Sequence, residues 1–131
     1  MPVLTITPNQ LGTFDVNHQT GARHWSEQMK HLFGLSPDAE VEFDTVLQVL
    51  HPDDRRALLD AVADSLRPDG PEHFALEYRV RWPDGSIHWL FVMARTQHSD
   101  GPDQRPLCTI GLATDITRAK EAELAEEWTM A

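Results

Sequence analysis

HFALEYRVRWPDGSIHWLFVMARTQ, residues 73–97, carries two extended segments joined by a turn. Over 73–82 the apolar side chains alternate. Phe74, Leu76, Tyr78 and Val80 face one way and Glu77, Arg79 and Arg81 the other, the period-two pattern of a half-buried strand. Pro83-Asp84-Gly85 is turn chemistry, and SIHWLFVMARTQ (86–97) reads as the returning strand. Asp100-Gly101-Pro102-Asp103 predicts a second loop, followed by a third long strand in PLCTIGLATDIT (106–117). Three strands with such short connections predict an antiparallel meander.

Upstream, the period changes. LGTFDVN (11–17) predicts a strand that ends at Asn17-His18-Gln19 and Thr20-Gly21, with a short partner strand running to Trp25. Ser26 is an N-cap for a helix carrying Met29, Leu32 and Phe33, stopped by Gly34. SPDAEVEFDTVLQVL (36–50) predicts two short helical pieces, one opened by Pro37-Asp38 and one by Asp44. HPDDRRALLDAVADSLRPDG (51–70) predicts the longest internal helix, with Leu58, Leu59, Val62 and Leu66 on one face. RAKEAELAEEW (118–128) is strongly helix-forming but has no apolar face wide enough to fold alone. The order implies α+β: a five-stranded antiparallel sheet with short helices on one face and a C-terminal helix.

Within 51–56, a histidine, two aspartates and two arginines resemble a reaction centre. Metal ligation by His51 with Asp53 or Asp54 fails on geometry, because side chains on one helical turn diverge. As a helix start, every residue has a role. Pro52 suits the first helical position, where its missing N–H costs nothing. Asp53 and Asp54 complement the helix dipole by about 0.3–1 kcal/mol each, and His51 caps locally. No metal site and no catalytic group is expected here.

The 131 residues are 40% hydrophobic and 24% charged, as expected of one globular domain. A net charge of −10 argues against nucleic acid. A single cysteine, Cys108, excludes an internal disulfide, and no apolar run approaches membrane-spanning length. A cytoplasmic location without direct membrane insertion is the expectation.

Gly21 with Trp25-Ser26, Phe33-Gly34, HPDDR, Glu77-Tyr78-Arg79-Val80, the Asp84-Gly85 turn followed by His88-Trp89-Leu90, and Gly111 with Asp115-Ile116-Thr117 stand in a familiar order. Together they resemble a PAS domain of the subgroup ending in a PAC segment. The resemblance spans roughly residues 11–123, so residues 1–10 are a lead-in, 11–117 the PAS domain and 118–131 a C-terminal signalling or linker helix. It implies a non-catalytic sensory and dimerisation module of a signal-transduction protein, of the histidine kinase or diguanylate cyclase type.

The resemblance also implies a pocket between the sheet and the short helices. From the helices, Met29, Phe33, Phe43, Leu47, Leu50, Leu58 and Val62 face it, with Leu32 and Val46. From the sheet come Tyr78, Val80, Leu90, Val92, Gly111 and Ala113, with Ala94 and Thr109. Gly111 and Ala113 leave room, and Tyr78 is the polar handle. Residues 55–66 contain no histidine for haem. FDTVLQVL stands where a photo-adduct flavin domain carries its reactive cysteine motif, and Cys108 lies on a strand. Haem and that flavin are therefore not expected, whereas non-covalent FAD, a small organic ligand or an empty pocket stay open.

On the opposite face Trp89, Phe91 and Met93 join Ile110 and Leu112, with Ile87 beside them. An antiparallel sheet with one wet face should be polar there. Residues 1–10, the last helix or a second copy must cover it, and a homodimer interface is the expectation. Asp115, Ile116 and Thr117 form the signal junction into the last helix, with Arg79 or Arg81 as partners for Asp115 and a downstream effector as its target. Two other readings stand beside this one: a ligand-free interaction scaffold, and a small α+β cone-fold isomerase-like enzyme. The latter lacks an inward carboxylate base beside Tyr78.

Overall fold

Asn17 turns the chain back on itself: its side-chain oxygen accepts the N–H groups of Gln19 (2.9 Å) and Thr20 (3.2 Å). Gly21 follows at φ +78°, a backbone conformation that favours glycine. The hairpin so formed joins β1 (Gly12–Asn17) to β2 (Arg23–Trp25) in a computed structural model that describes residues 11–130, with side chains to residue 127. The lead-in 1–10 and the Trp128 side chain lie outside the described residues. There follow α1 (Glu27–Leu32), α2 (Phe43–Val49), α3 (Arg55–Leu66), β3 (His73–Arg81), β4 (Ile87–His98), β5 (Pro106–Asp115) and α4 (Thr117–Met130).

The five strands form one antiparallel sheet in the order β2-β1-β5-β4-β3. The meander supplies three of them. The chain start completes the sheet by pairing β1 with β5, from Gly12 opposite Ala113 to Asn17 opposite Cys108. Buried side chains of the helices and the inner sheet face form one core, with Phe33, Met29, Leu50, Leu90 and Val80 its largest enclosed members. Burial on this scale supplies most of the folding free energy, at about 25 cal/mol per Å² of apolar surface. Among the described residues no helix is long and apolar enough to cross a membrane.

Ser26 caps α1 as expected, its hydroxyl accepting the Met29 N–H at 3.1 Å. Three expectations need correction. Pro37-Asp38 opens no helix: Ser36 accepts the Asp38 N–H at its side chain and the Ala39 N–H at its carbonyl, and a single turn results. Glu42 rather than Asp44 begins α2, through a reciprocal cap with Thr45. On α3 the inward stripe is Leu58 and Ser65, both buried, with Val62 half-buried between them, while Leu59 is exposed. These three lie at i, i+4 and i+7, so they share one face of the helix.

Candidate functional site

Four regions bear on the sequence expectations, beginning with the segment His51–Asp54. Pro52–Asp54 is a 3₁₀ turn, and His51 Nδ1 accepts the Asp53 N–H at 3.1 Å, a cap rather than a metal ligand. β3 is an edge strand whose N–H and C=O groups need partners. At Arg79 this segment supplies both. The His51 N–H donates to the Arg79 carbonyl (2.9 Å), and the Arg79 N–H donates to Asp54 Oδ2 (2.7 Å). The Arg79 guanidinium adds a bidentate pair to Asp54 at 3.0 and 2.8 Å. That pair holds the Asp54 carboxyl below its ordinary pKa.

The second region is a cavity of about 110 Å³ between the helices and the sheet. Of the residues expected to line it, Met29, Phe33, Phe43, Val46, Leu58, Val62, Tyr78, Val92 and Thr109 do so. Leu50, Val80, Leu90 and Ala113 pack instead in the closed core, and Leu47 is half-buried away from the lining. Gly111 leaves no room either. It pairs with Phe14, whose ring lies where a side chain would begin, 2.3 Å from an added Cβ. Phe14 thereby becomes part of the wall. Pockets for drug-sized ligands and cofactors run to about 300–1,000 Å³, so the cavity is too small for FAD.

One end of this cavity is polar, and of the residues that make it so the sequence expectation named only Thr109. Ser65 donates to the Val62 carbonyl (2.8 Å) and Thr96 to Ser65 (3.3 Å). The hydroxyls of Thr96 and Thr109 lie 2.7 Å apart, and His18 Nε2 lies 2.7 Å from Thr109. Each hydroxyl has one proton. Thr109 must therefore donate to Thr96, and His18 Nε2–H to Thr109. Burial, then Arg23 and His98, push the His18 pKa below 6.5. An unfolded chain takes up this proton first on acidification, so the contribution of His18 to stability is present above pH 6.5 and is lost as pH falls. Denaturant titrations at about pH 5.5 and about pH 7.5 should show this loss, and His18→Gln should remove that part of the pH dependence.

The third region is the start of α4. Asp115 Oδ1 accepts the Thr117 N–H (2.8 Å), and Asp115 Oδ2 lies 3.4 Å from His88 Nδ1. The expected pairing with Arg79 or Arg81 is not formed: Asp54 occupies Arg79, and His88 stands nearest Asp115. The Thr117 hydroxyl accepts the Trp89 N–H (3.0 Å), and the Ile116 N–H donates to the Trp89 carbonyl (2.8 Å). The His88 ring stacks on Trp82 at 3.8 Å, and Trp82 Nε1–H donates to the Leu32 carbonyl at the end of α1 (3.0 Å). Ser86, His88 and Asp115 lie in the order of a hydrolytic triad. However, Ser86 also hydrogen-bonds the Asp84 carboxylate. With its one proton given to Asp84, the hydroxyl cannot also pass it to His88.

On the outer face, Met93, Ile110 and Leu112 are exposed, as is Ile87, with Met93 and Leu112 direct cross-strand neighbours. Trp89 and Phe91 are half-buried. The Trp89 ring is flanked by Arg79 at 5.2 Å and Lys120 of α4 at 5.1 Å, and Lys120 also pairs with Glu77 at 3.0 Å. Helix α4 therefore covers the Trp89 end of the patch and leaves the β5 side open.

A family model described as the PAS fold matches residues 22–113, well over half of the chain. The chain belongs to the PAS family. Among curated relatives, a blue-light-activated histidine kinase of Brucella anthropi is 26% identical over 113 residues. The alignment covers 86% of this PAS chain and 22% of the kinase, so the chain spans about a fifth of that relative. A sensory box histidine kinase/response regulator of Burkholderia thailandensis is similar in structure (TM-score 0.72, 28% identity, 93% of this chain and 88% of that one). So is the N-terminal domain of a diguanylate cyclase with PAS/PAC sensor from Marinobacter aquaeolei (TM-score 0.71, 18% identity, 84% of this chain and 98% of that one). The last comparison shows the fold alone.

Proposed function

We propose that this PAS domain is the non-catalytic sensory and dimerisation input module of a cytoplasmic signalling protein of histidine kinase or diguanylate cyclase type. One observation carries the reading: a continuous set of contacts from the cavity wall to the start of α4. Met29 and Phe33 wall the cavity at α1, whose end holds Trp82; Trp82 stacks on His88, and His88 meets Asp115, which caps α4. A ligand that shifts α1 acts through these contacts on the helix leading to the effector. Asp115→Ala, in the protein carrying its effector, should abolish the response to stimulus while lowering domain stability by only about 1 kcal/mol, the worth of one cap. A fully responsive variant refutes the junction mechanism.

The dimer reading rests on the exposed residues of the outer face. Ile110 is 55% and Met93 48% exposed on a sheet face where polar side chains belong. In sedimentation at high micromolar concentration the chain should be dimeric, and Ile110→Asp should make it monomeric while its melting curve stays unchanged. A monomeric parent protein defeats this assignment. The small size of the cavity favours the ligand-free scaffold as a second reading. Native mass spectrometry and an ultraviolet-visible spectrum of freshly purified protein separate the two.

A further inference from the structure

Of the contacts that lead to α4, the one between His88 and Asp115 holds no proton while the histidine is neutral. A count of donors shows why. Ser86 Oγ donates its one proton to Asp84 Oδ1 at 2.5 Å, and the Ser86 N–H donates to the same oxygen at 2.9 Å. Those bonds hold the Asp84 carboxyl below its ordinary pKa, so it stays an acceptor across the range in which histidines change charge. With its proton spent, the Ser86 oxygen 2.9 Å from His88 Nε2 can only accept. Nε2 therefore carries the hydrogen of the neutral ring, and Nδ1 is bare.

That bare nitrogen faces Asp115 Oδ2 across 3.4 Å, acceptor against acceptor. The separation exceeds the about 2.7–2.9 Å of a charge-assisted hydrogen bond. The other oxygen of the same carboxylate accepts the Thr117 N–H at 2.8 Å and so caps α4. Protonation of His88 puts a second N–H on the ring beside Oδ2, while the first stays on Ser86. Each Asp115 oxygen then has its own donor, and the capping carboxylate is held from both sides. The charged ring also suits Trp82, whose indole it stacks on at 3.8 Å. The groups facing His88 are thus Asp84 and Ser86 of the preceding turn, Asp115 of β5 and the Trp82 ring that follows β3. His31 of α1 meets the same indole edge-on at 5.5 Å. Among the described residues neither Asp84 nor Asp115 forms an ion pair with a lysine or arginine, so no fixed cation competes for them.

We propose that His88 is a proton switch at the signal junction: acidification closes the chain Asp84–Ser86–His88–Asp115 and tightens the cap on α4. This rests on the reading of Asp115 as the route to the effector and names what regulates that route. The sign is opposite to that of His18, whose protonation weakens the fold, so the two histidines are separable.

The test is amide hydrogen exchange in the intact chain at about pH 5.5 and about pH 7.5, on either side of histidine titration. Intrinsic rates are divided out, and protection is read at Thr117 and at Lys120, whose N–H donates to the Ile116 carbonyl at 2.8 Å. The side chains of His88 and Asp115 are 22% and 37% exposed, so the pair is a partly screened one. Protection should rise about threefold or more in acid, as such a pair allows. His88→Gln should erase the rise. Asp115→Asn, whose amide suits the neutral ring, should erase or reverse it, and either variant with an unchanged melting curve at neutral pH is sufficient. A smaller rise in the parent, a fall, or a rise that survives these substitutions overturns the switch and leaves the junction standing. The junction itself is lost only if Asp115→Ala stays responsive in the protein carrying its effector. Nitrogen chemical shifts of the His88 ring give a second reading: the neutral ring should be the Nε2–H tautomer. An Nδ1–H tautomer overturns the switch, because the bond to Asp115 is then made without an added proton.

Discussion

Asp54→Ala is expected to lower the unfolding free energy by about 2–4 kcal/mol, as when one partner of a largely buried, hydrogen-bonded ion pair is removed. Three hydrogen bonds end on this carboxylate, one from the Arg79 backbone and two from its guanidinium. Asp54 and Arg79 side chains are 17% and 28% exposed, enough for water to reach the orphaned guanidinium in the variant, which sets the lower end of the range. Asp53→Ala is the internal control. Its side chain is 77% exposed, and it should change stability by no more than the about 0.3–1 kcal/mol of a helix-dipole charge. The pH dependence has a definite sign. The folded carboxyl is held below 3.8, so its contribution is complete above pH 3.8 and disappears as pH falls through the folded value. Urea titrations of the two alanine variants at neutral pH decide the matter. Equal small losses show that the Arg79 pair contributes nothing.

Phe33→Ala should cost about 3–5 kcal/mol, the range for deleting a fully buried aromatic ring. Phe33 is 1% exposed and contacts Trp25 and Tyr78 edge-on, with centroids 4.9 and 6.1 Å away. The ring also forms part of the cavity wall, so the void left behind joins the existing 110 Å³. The variant should therefore be less stable and yet admit larger apolar probes, such as indole, that the parent excludes. A loss below about 1 kcal/mol indicates collapse of the helices into the vacancy, and the enlarged cavity is then absent. Leu124→Ala, on the exposed side of α4, should be nearly silent by comparison.

What could be read from the chain was whatever depends on neighbours in sequence. The alternation at 74–80, the turn at Pro83-Asp84-Gly85 and the cap at Ser26 are local, and each stands where expected. The two inner faces of the meander follow from the same period of two. The cavity was legible only in outline: Met29, Phe33, Phe43, Val46, Leu58 and Val62 reach it from the helical side while Leu32, Leu47 and Leu50 do not, and most of the expected sheet residues close up as core. Which residues leave a gap depends on volumes contributed by elements far apart in the sequence. Gly111 shows this plainly, since the space it vacates belongs to Phe14 of a strand nearly a hundred residues earlier.

Partners across the fold were hidden for the same reason. Asp54 has the composition of a helix start, and no local pattern tells it from Asp53. It acquires Arg79 because β1 inserts beside β5 and leaves β3 at the sheet edge, where an unpaired N–H awaits an acceptor. His18 likewise looks like an ordinary turn residue until β1 and β5 pair and bring it to Thr109. Local periodicity and turn chemistry were enough to specify an α+β chain, and the family came from the motifs that resemble it. The edge, the polar end of the cavity and the contacts of Asp115 were decided by long-range strand pairing. That pairing sets which hydrogen-bonding groups remain unsatisfied and which side chains are near enough to meet them.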